Sequence, residues 1–210
     1  MNINQSNDAI WWISGMNIDG DGAPNCYSPD NKGLDYLANA GKPGNWYGIV
    51  TDSNGNPIIQ GPNDPYPGFY VSPTALQDKS KNRTDPNRYV DSTKIRYISI
   101  PSNATKDFDV HLGDVALIHC RSTNQAAAAI VADIGPRYKY GEGSIALAKA
   151  LGLPNSPKNG GTDHGITMII FKQSNKGWPR TNEDVAQQVQ DLLNATGGLD
   201  QYGLGSNLNT

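Results

Sequence analysis

Glycine and proline break this chain so often that long regular elements are excluded from most of it. Among 210 residues there are 23 glycines and 14 prolines, with asparagine and aspartate gathered beside them. Between the breaks lie short apolar runs, the arrangement of a β-rich domain in which strand and turn alternate closely. The runs predict strands at Ala9 to Ser14, Trp46 to Thr51, Pro57 to Gln60, Gly68 to Val71, Ile95 to Ile100, Asp114 to Cys120, Ala126 to Ala132 and Ile166 to Phe171. Asn54-Gly55 falls between two of them and signals a hairpin, because both residues tolerate the positive φ of a tight turn. Helical spacing is confined to three places. Gly33 to Ala40 is short, and Ser144 to Leu151 is closed by Gly152 and Pro154. Thr181 and Asp184 form a capping pair ahead of Val185, Val189, Leu192 and Leu193, which share one helical face until Gly197-Gly198 stops it. This C-terminal helix, about residues 182 to 196, is expected to pack on a barrel or sandwich. Gln77 to Asp91 is polar and without periodicity, which marks a surface excursion. No repeat and no linker divides the chain, so the expectation is one domain over residues 1–210, mainly β (β-rich α+β).

Composition limits the partners. The formal net charge is -3, which argues against nucleic acid and leaves the surface compatible with a cationic polymer. No apolar run is long enough to span a bilayer. The amino terminus MNINQSNDAIWW has neither the basic head nor the apolar stretch of a signal peptide. A secreted or exported protein would then have lost its leader or use another route. Cys26 and Cys120 are the two cysteines; spacing alone neither makes nor excludes a disulfide between them.

The chemistry concentrates in VADIGPRYKYGEGSIALAKALG. The chain has 18 aspartates but two glutamates, and one of these, Glu142, stands between glycines nine residues after Asp133. Asp133 is expected at a strand end before the Gly135-Pro136 turn, and Gly141-Glu142-Gly143 as a turn opening the next helix. Two readings are open on spacing alone. Asp133 can cap the turn while Glu142 favours the positive end of the helix, or the two carboxylates can face each other across one loop as an acid/base pair.

Ala132-Asp133-Ile134-Gly135-Pro136 followed by Gly141-Glu142-Gly143-Ser144-Ile145-Ala146-Leu147 resembles the central motif of the fungal-type chitosanases, glycoside hydrolase family 75. Further blocks are similar to that family in the same order: Asp19-Gly20-Asp21-Gly22-Ala23-Pro24-Asn25, Gly33-Leu34-Asp35-Tyr36-Leu37, Asn45-Trp46-Tyr47-Gly48-Ile49, Gln60 through Pro65, Gly68 through Ser72, and Tyr89-Val90-Asp91. The resemblance covers about residues 16 to 172. Cys26 departs from it, where a small residue is expected, as does Lys172-Gln173-Ser174-Asn175. It implies that Asp133 and Glu142 are the essential acids of an endo-chitosanase inverting the anomeric carbon, with Glu142 the general acid and Asp133 the base. It implies no cofactor and no metal, chitosan or glucosamine oligosaccharides as partners, and a monomer. The strand, acidic loop and helix around Asp133 also resemble the six-stranded double-psi barrels of certain lytic transglycosylases and endoglucanases, an analogy of fold only.

Other features are weighed against that reading. Asn17 to Gly22 copies the start of a calcium loop, but Ser28 stands where a closing glutamate belongs. A turn held by aspartate side chains explains it, and the resemblance turns Asp19 or Asp21 toward substrate. His111, His119 and His164 lack ligand spacing; His164 either lines the cleft or merely ends a strand. Sugar faces stack on aromatic rings, and carboxylates recognise amino groups by charge-assisted hydrogen bonds. Asp35 and Asp163 are further acids for that purpose. Trp11, Trp12, Trp46, Tyr47, Tyr138 and Tyr140 are the candidates for stacking; core packing is the stronger reading for most of them, whereas Tyr138 and Tyr140 lie on the loop between the acids and are expected at substrate. Two alternatives stay open: a glycosidase or lytic transglycosylase acting on peptidoglycan as an exported antibacterial effector, and a carbohydrate-binding module whose acids only hold amino sugars.

Overall fold

The computed structural model describes residues 2–205. Its centre is a closed barrel of six strands: β2 (Ala9–Asp19), β5 (Tyr97–Pro101), β6 (Val115–Cys120), β7 (Gln125–Gly135), β8 (Glu142–Ser144) and β9 (Thr162–Phe171). Going round, the order is β2, β8, β5, β7, β6, β9 and back to β2. The β2–β8 and β5–β7 pairings are parallel and the other four antiparallel. The fold is therefore a mainly-β single domain with a mixed six-stranded barrel, a few short helices and a C-terminal helix. Closure leaves no unpaired barrel edge; a short β1 (Asn4–Gln5) pairs with β2 outside it.

Both faces of the barrel wall are covered, so its strands read as unbroken apolar runs. Ile10, Trp12, Ile98, Ile118, Val131 and Met168 fill the inside, where α2 (Ile145–Ala150) adds Leu147 and Ala148. Leu117, Ala128, Ile130 and Ile169 point outward against Val185, Val189 and Leu193 of α3 (Asn182–Ala195). The capping box read at Thr181 forms: its hydroxyl accepts from the Asp184 N–H and the Asp184 carboxylate from the Thr181 N–H. A helix absent from the sequence reading, α1 (Ala104–Phe108), follows β5.

The strands predicted between residues 46 and 71 are not there as regular elements. Residues 20–96, between β2 and β5, form a long insertion whose β-structure is the two-residue pair β3 (Gly41–Lys42) and β4 (Asn45–Trp46) with isolated bridges such as Thr51 to Pro57 and Ile59 to Tyr70. Short apolar runs here serve two small clusters, one around Ala23, Cys26, Tyr27, Ala40 and Ile49 and one around Val50, Val71 and Tyr89. Asn54-Gly55 does make its turn, closed by Asp52, whose carboxylate accepts from the Asn54 and Asn56 N–H groups. The helix expected at Gly33 to Ala40 shrinks to one 3-10 turn, Leu37–Ala40. Cys26 and Cys120 are free and buried in different clusters.

Candidate active site

Glu142 opens β8 rather than a turn, and its register explains the site. On one side it lies opposite Asn17 of β2, on the other opposite Ser99 of β5. Ser99 in turn lies opposite Asp133 of β7, after the register slips between Ile98 and Ser99: Ile98 faces Val131, and Ala132 is the extra residue. A bulge of this kind reverses the inside–outside alternation. Val131 stays in the barrel interior and Ala132 joins the outer cluster, so Asp133 follows outward beside Ser99 instead of pointing into the barrel. Asn17, Glu142, Ser99 and Asp133 thus form one row on the outer wall, with Asp19 one step along β2. Gly15 through Asp19 extend the first strand five residues past its predicted end at Ser14.

The insertion faces this row and makes the other wall of a cleft of about 620 Å³. Asp19, Asp21, Asp35, Asp133 and Glu142 all line it, together with Tyr27, Tyr47, Lys139 and Lys158. Each acid is held by named donors. The Ser99 hydroxyl donates to Asp19 Oδ2 at 2.6 Å and the Asp21 N–H to Asp19 Oδ1 at 2.9 Å. The Tyr27 and Ser72 hydroxyls donate to Asp21 Oδ1 at 2.8 and 3.2 Å. The Ala75 N–H donates to Asp133 Oδ1 at 2.9 Å, so the insertion also fixes the barrel's own acid. Asp35 accepts from the Tyr36 N–H and from Asn39 Nδ2. Lys139 Nζ lies 3.2 Å from Glu142 Oε1. The other Glu142 oxygen reaches over the end of β7, where a Cβ on Gly135 would come within 3.2 Å of Oε2. Gly141 is needed beside it: its φ is +87°, and a Cβ would run into the Gly15 carbonyl 2.3 Å away.

Asp19, Asp21 and Asp133 bring one oxygen each within 4.8 Å of one another. Like charges that close cannot all be ionised in a partly dry cleft. Burial, then the neighbouring Asp19 charge, pushes Asp133 up to about 8. Burial also raises Asp19 against the pull of its hydrogen bonds, and burial with the Asp19 and Asp133 charges raises Asp21 strongly. Glu142 is raised by burial and by Asp19, with Lys139 pulling the other way. Asp133 therefore keeps its proton at neutral pH, and Asp19, Asp21 and Glu142 each hold theirs more tightly than a free carboxyl does. The cluster's oxygens are spaced to take a substrate ammonium or a divalent cation.

The sequence-predicted residues divide. Asp133, Glu142, Asp19, Asp21 and Asp35 come together. Tyr138, Tyr140 and His164 do not line the cleft. Tyr140 packs edge-on against Trp12, ring centroids 5.3 Å apart, so the loop folds it back onto the core. Tyr138 takes a left-handed φ of 62°, turns out to solvent and lies under Arg137. His164 and Asp163 are exposed on β9. Tyr47, read as core, is instead 65% exposed at the cleft mouth. Ser99, Tyr27, Lys139 and Lys158 were missed. Ser99 alone left a trace, as the polar residue inside the apolar strand Tyr97–Pro101. Neither a known protein family nor a curated protein matches the chain.

Proposed function

We propose that the protein is an endo-acting glycoside hydrolase that cuts β-1,4 linkages between glucosamine units of chitosan with inversion. The observation that carries this is the row Glu142–Ser99–Asp133 on the outer barrel wall, two carboxylates of unequal environment facing a cleft rich in further acids. A polycationic chain is attracted to such a cleft, and unequal carboxylates divide acid and base roles between them. Lys139 favours the ionised form of Glu142, while burial beside Asp19 favours the protonated form of Asp133. This supports Asp133 as proton donor and Glu142 as base, the reverse of the assignment expected from sequence resemblance. Asp19, Asp21 and Asp35 then hold the glucosamine ammonium groups, and the exposed Tyr47 offers its ring to a sugar face.

The test is release of reducing ends by the full chain from pure chitosan and, separately, from peptidoglycan. Release from chitosan with the α-anomer appearing first by proton NMR supports the reading. An initial β-anomer overturns inversion; release from peptidoglycan alone makes the protein a cell-wall glycosidase. Binding without release from either makes it a carbohydrate-binding module.

A further inference from the structure

Tyr47 belongs to two hollows. It lines the acid cleft, and it also lines a groove of about 250 Å³ in the insertion that has Trp46, Tyr89, Thr51, Gln77 and Arg83 in its walls. The groove thus adjoins the cleft at Tyr47, and it sets aromatic side chains beside polar ones, the chemistry that suits a sugar ring. The two differ in their ionisable groups. The cleft has five acidic side chains beside Lys139 and Lys158; the groove has no acid, and its one ionic group is the Arg83 guanidinium. No ion pair engages Arg83 among the described residues. Its neighbour Tyr89 is fixed, the phenol donating to the Arg83 backbone carbonyl at 2.7 Å.

A glucosamine ammonium placed in this groove would lose water without finding a counter-charge and would meet a cation, which is costly. A sugar whose 2-substituent is a neutral acetamido group carries no such cost, and its carbonyl accepts a hydrogen bond from Arg83. We propose that the groove formed by Trp46, Tyr47 and Arg83 is a subsite for one N-acetylated sugar unit of the same chain whose glucosamine units occupy the acid cleft. The inference rests on the saccharide reading of the cleft and narrows its substrate to partly acetylated chains. Chitosan and partly deacetylated cell-wall glycan share that chemistry.

The experiment measures affinity, so that it does not depend on turnover. The full chain carrying Glu142→Gln is titrated with glucosamine hexasaccharides, one fully deacetylated and the others bearing a single acetamido unit at each position in turn. One positional isomer is expected to bind about tenfold tighter than the deacetylated chain, the lower end of the scale of one hydrogen bond to a charged group. Adding Arg83→Glu is expected to abolish or invert that preference while the deacetylated chain binds as well or better. Arg83 is exposed, so this change does not threaten folding. Equal affinity across all isomers, a preference unmoved by Arg83→Glu, or no binding at all overturns the proposal. A fragment carrying the muramic O3-lactyl ether beside the acetamido sugar separates the sources: undiminished binding points to cell-wall glycan, weakened binding to chitosan. Tight, isomer-selective binding by the unsubstituted chain without hydrolysis would sink the hydrolase reading and leave the subsite standing.

Discussion

The barrel and the insertion solve the same packing problem in different ways. In the barrel, ladder hydrogen bonds satisfy the backbone, and apolar side chains on both faces make one inner and one outer core. The insertion, residues 20–96, has almost no ladder, and its backbone is satisfied by scattered turn and loop hydrogen bonds, such as the Val50 N–H to the Val71 carbonyl and the Ile58 N–H to the Val50 carbonyl, with side chains supplying others. Gln60 Nε2 donates to the Pro24 and Tyr70 carbonyls, Thr74 Oγ accepts from the Val90 N–H, and Asp52, Asp78 and Asp85 each accept from the backbone two residues on. Short polar side chains compete well for local backbone groups, which is why turns of this composition need no sheet. The difference bears on the proposed site: Glu142, Asp133 and Asp19 are mounted on the laddered wall, whereas Asp21, Asp35 and Tyr47 come from the insertion.

The largest expected effect comes from the wall. Glu142→Gln and Asp133→Asn should each lower chitosan hydrolysis by at least about a hundredfold, the scale of lost acid or base assistance, with circular dichroism unchanged. Near wild-type turnover in either variant removes that residue from the chemistry.

Core truncations compare the two regions directly. Ile98 and Met168 are fully buried inside the barrel, and replacing either by alanine should cost about 2–5 kcal/mol in denaturant unfolding. Ile49 is buried in the smaller insertion cluster, whose looser surroundings can collapse around a missing group, so Ile49→Ala should cost less. If Ile49→Ala proves as costly as the barrel changes, the insertion is as tightly packed as the wall and the contrast fails.

The pH dependence follows from Asp133. Its folded value near 8 lies above the ordinary 3.8 of a free aspartate, so its neutral form fits the folded cleft better than its charged form. Stability from this group is full below pH 3.8 and is lost as pH rises toward about 8. Asp133→Asn should therefore unfold at higher denaturant than the wild type at pH 8, with the gap closing at low pH. A constant gap would mean that Asp133 is already charged in the folded cleft.

The smallest effect concerns Lys139, half-exposed on the loop that joins the two acids. Its ion pair favours ionised Glu142, so Lys139→Met should move the acid limb of the pH–rate profile upward, and Lys139→Arg should leave it in place. An acid limb unmoved in Lys139→Met would detach Glu142 from the base role.

The strands Ala9 onward, Asp114 to Cys120, Ala126 to Ala132 and Ile166 to Phe171 were legible because both faces of the wall are buried, which leaves continuous apolar runs in the chain. The capping box of α3 was legible because it is made of neighbours in sequence. The same rule misread Trp46 to Val71: apolar runs between turns look like strands whether or not a partner strand exists, and only the tertiary structure decides pairing. Asp133 and Glu142 stood out by residue type and spacing. That they share a face depended on the bulge at Ala132, a one-residue slip set by the β5–β7 register and invisible in either strand alone. Tyr138 and Tyr140 failed for a related reason, since a loop's direction is fixed by what its side chains pack on, here Trp12 for one and solvent for the other. The sequence by itself determined five of the six barrel strands, all but β8, and the last helix, because local patterning carries them. Tertiary structure alone decided that five acidic side chains share one cleft and that Asp133, Asp19, Asp21 and Glu142 are shifted upward there, because charge coupling depends on distances between residues far apart in the chain.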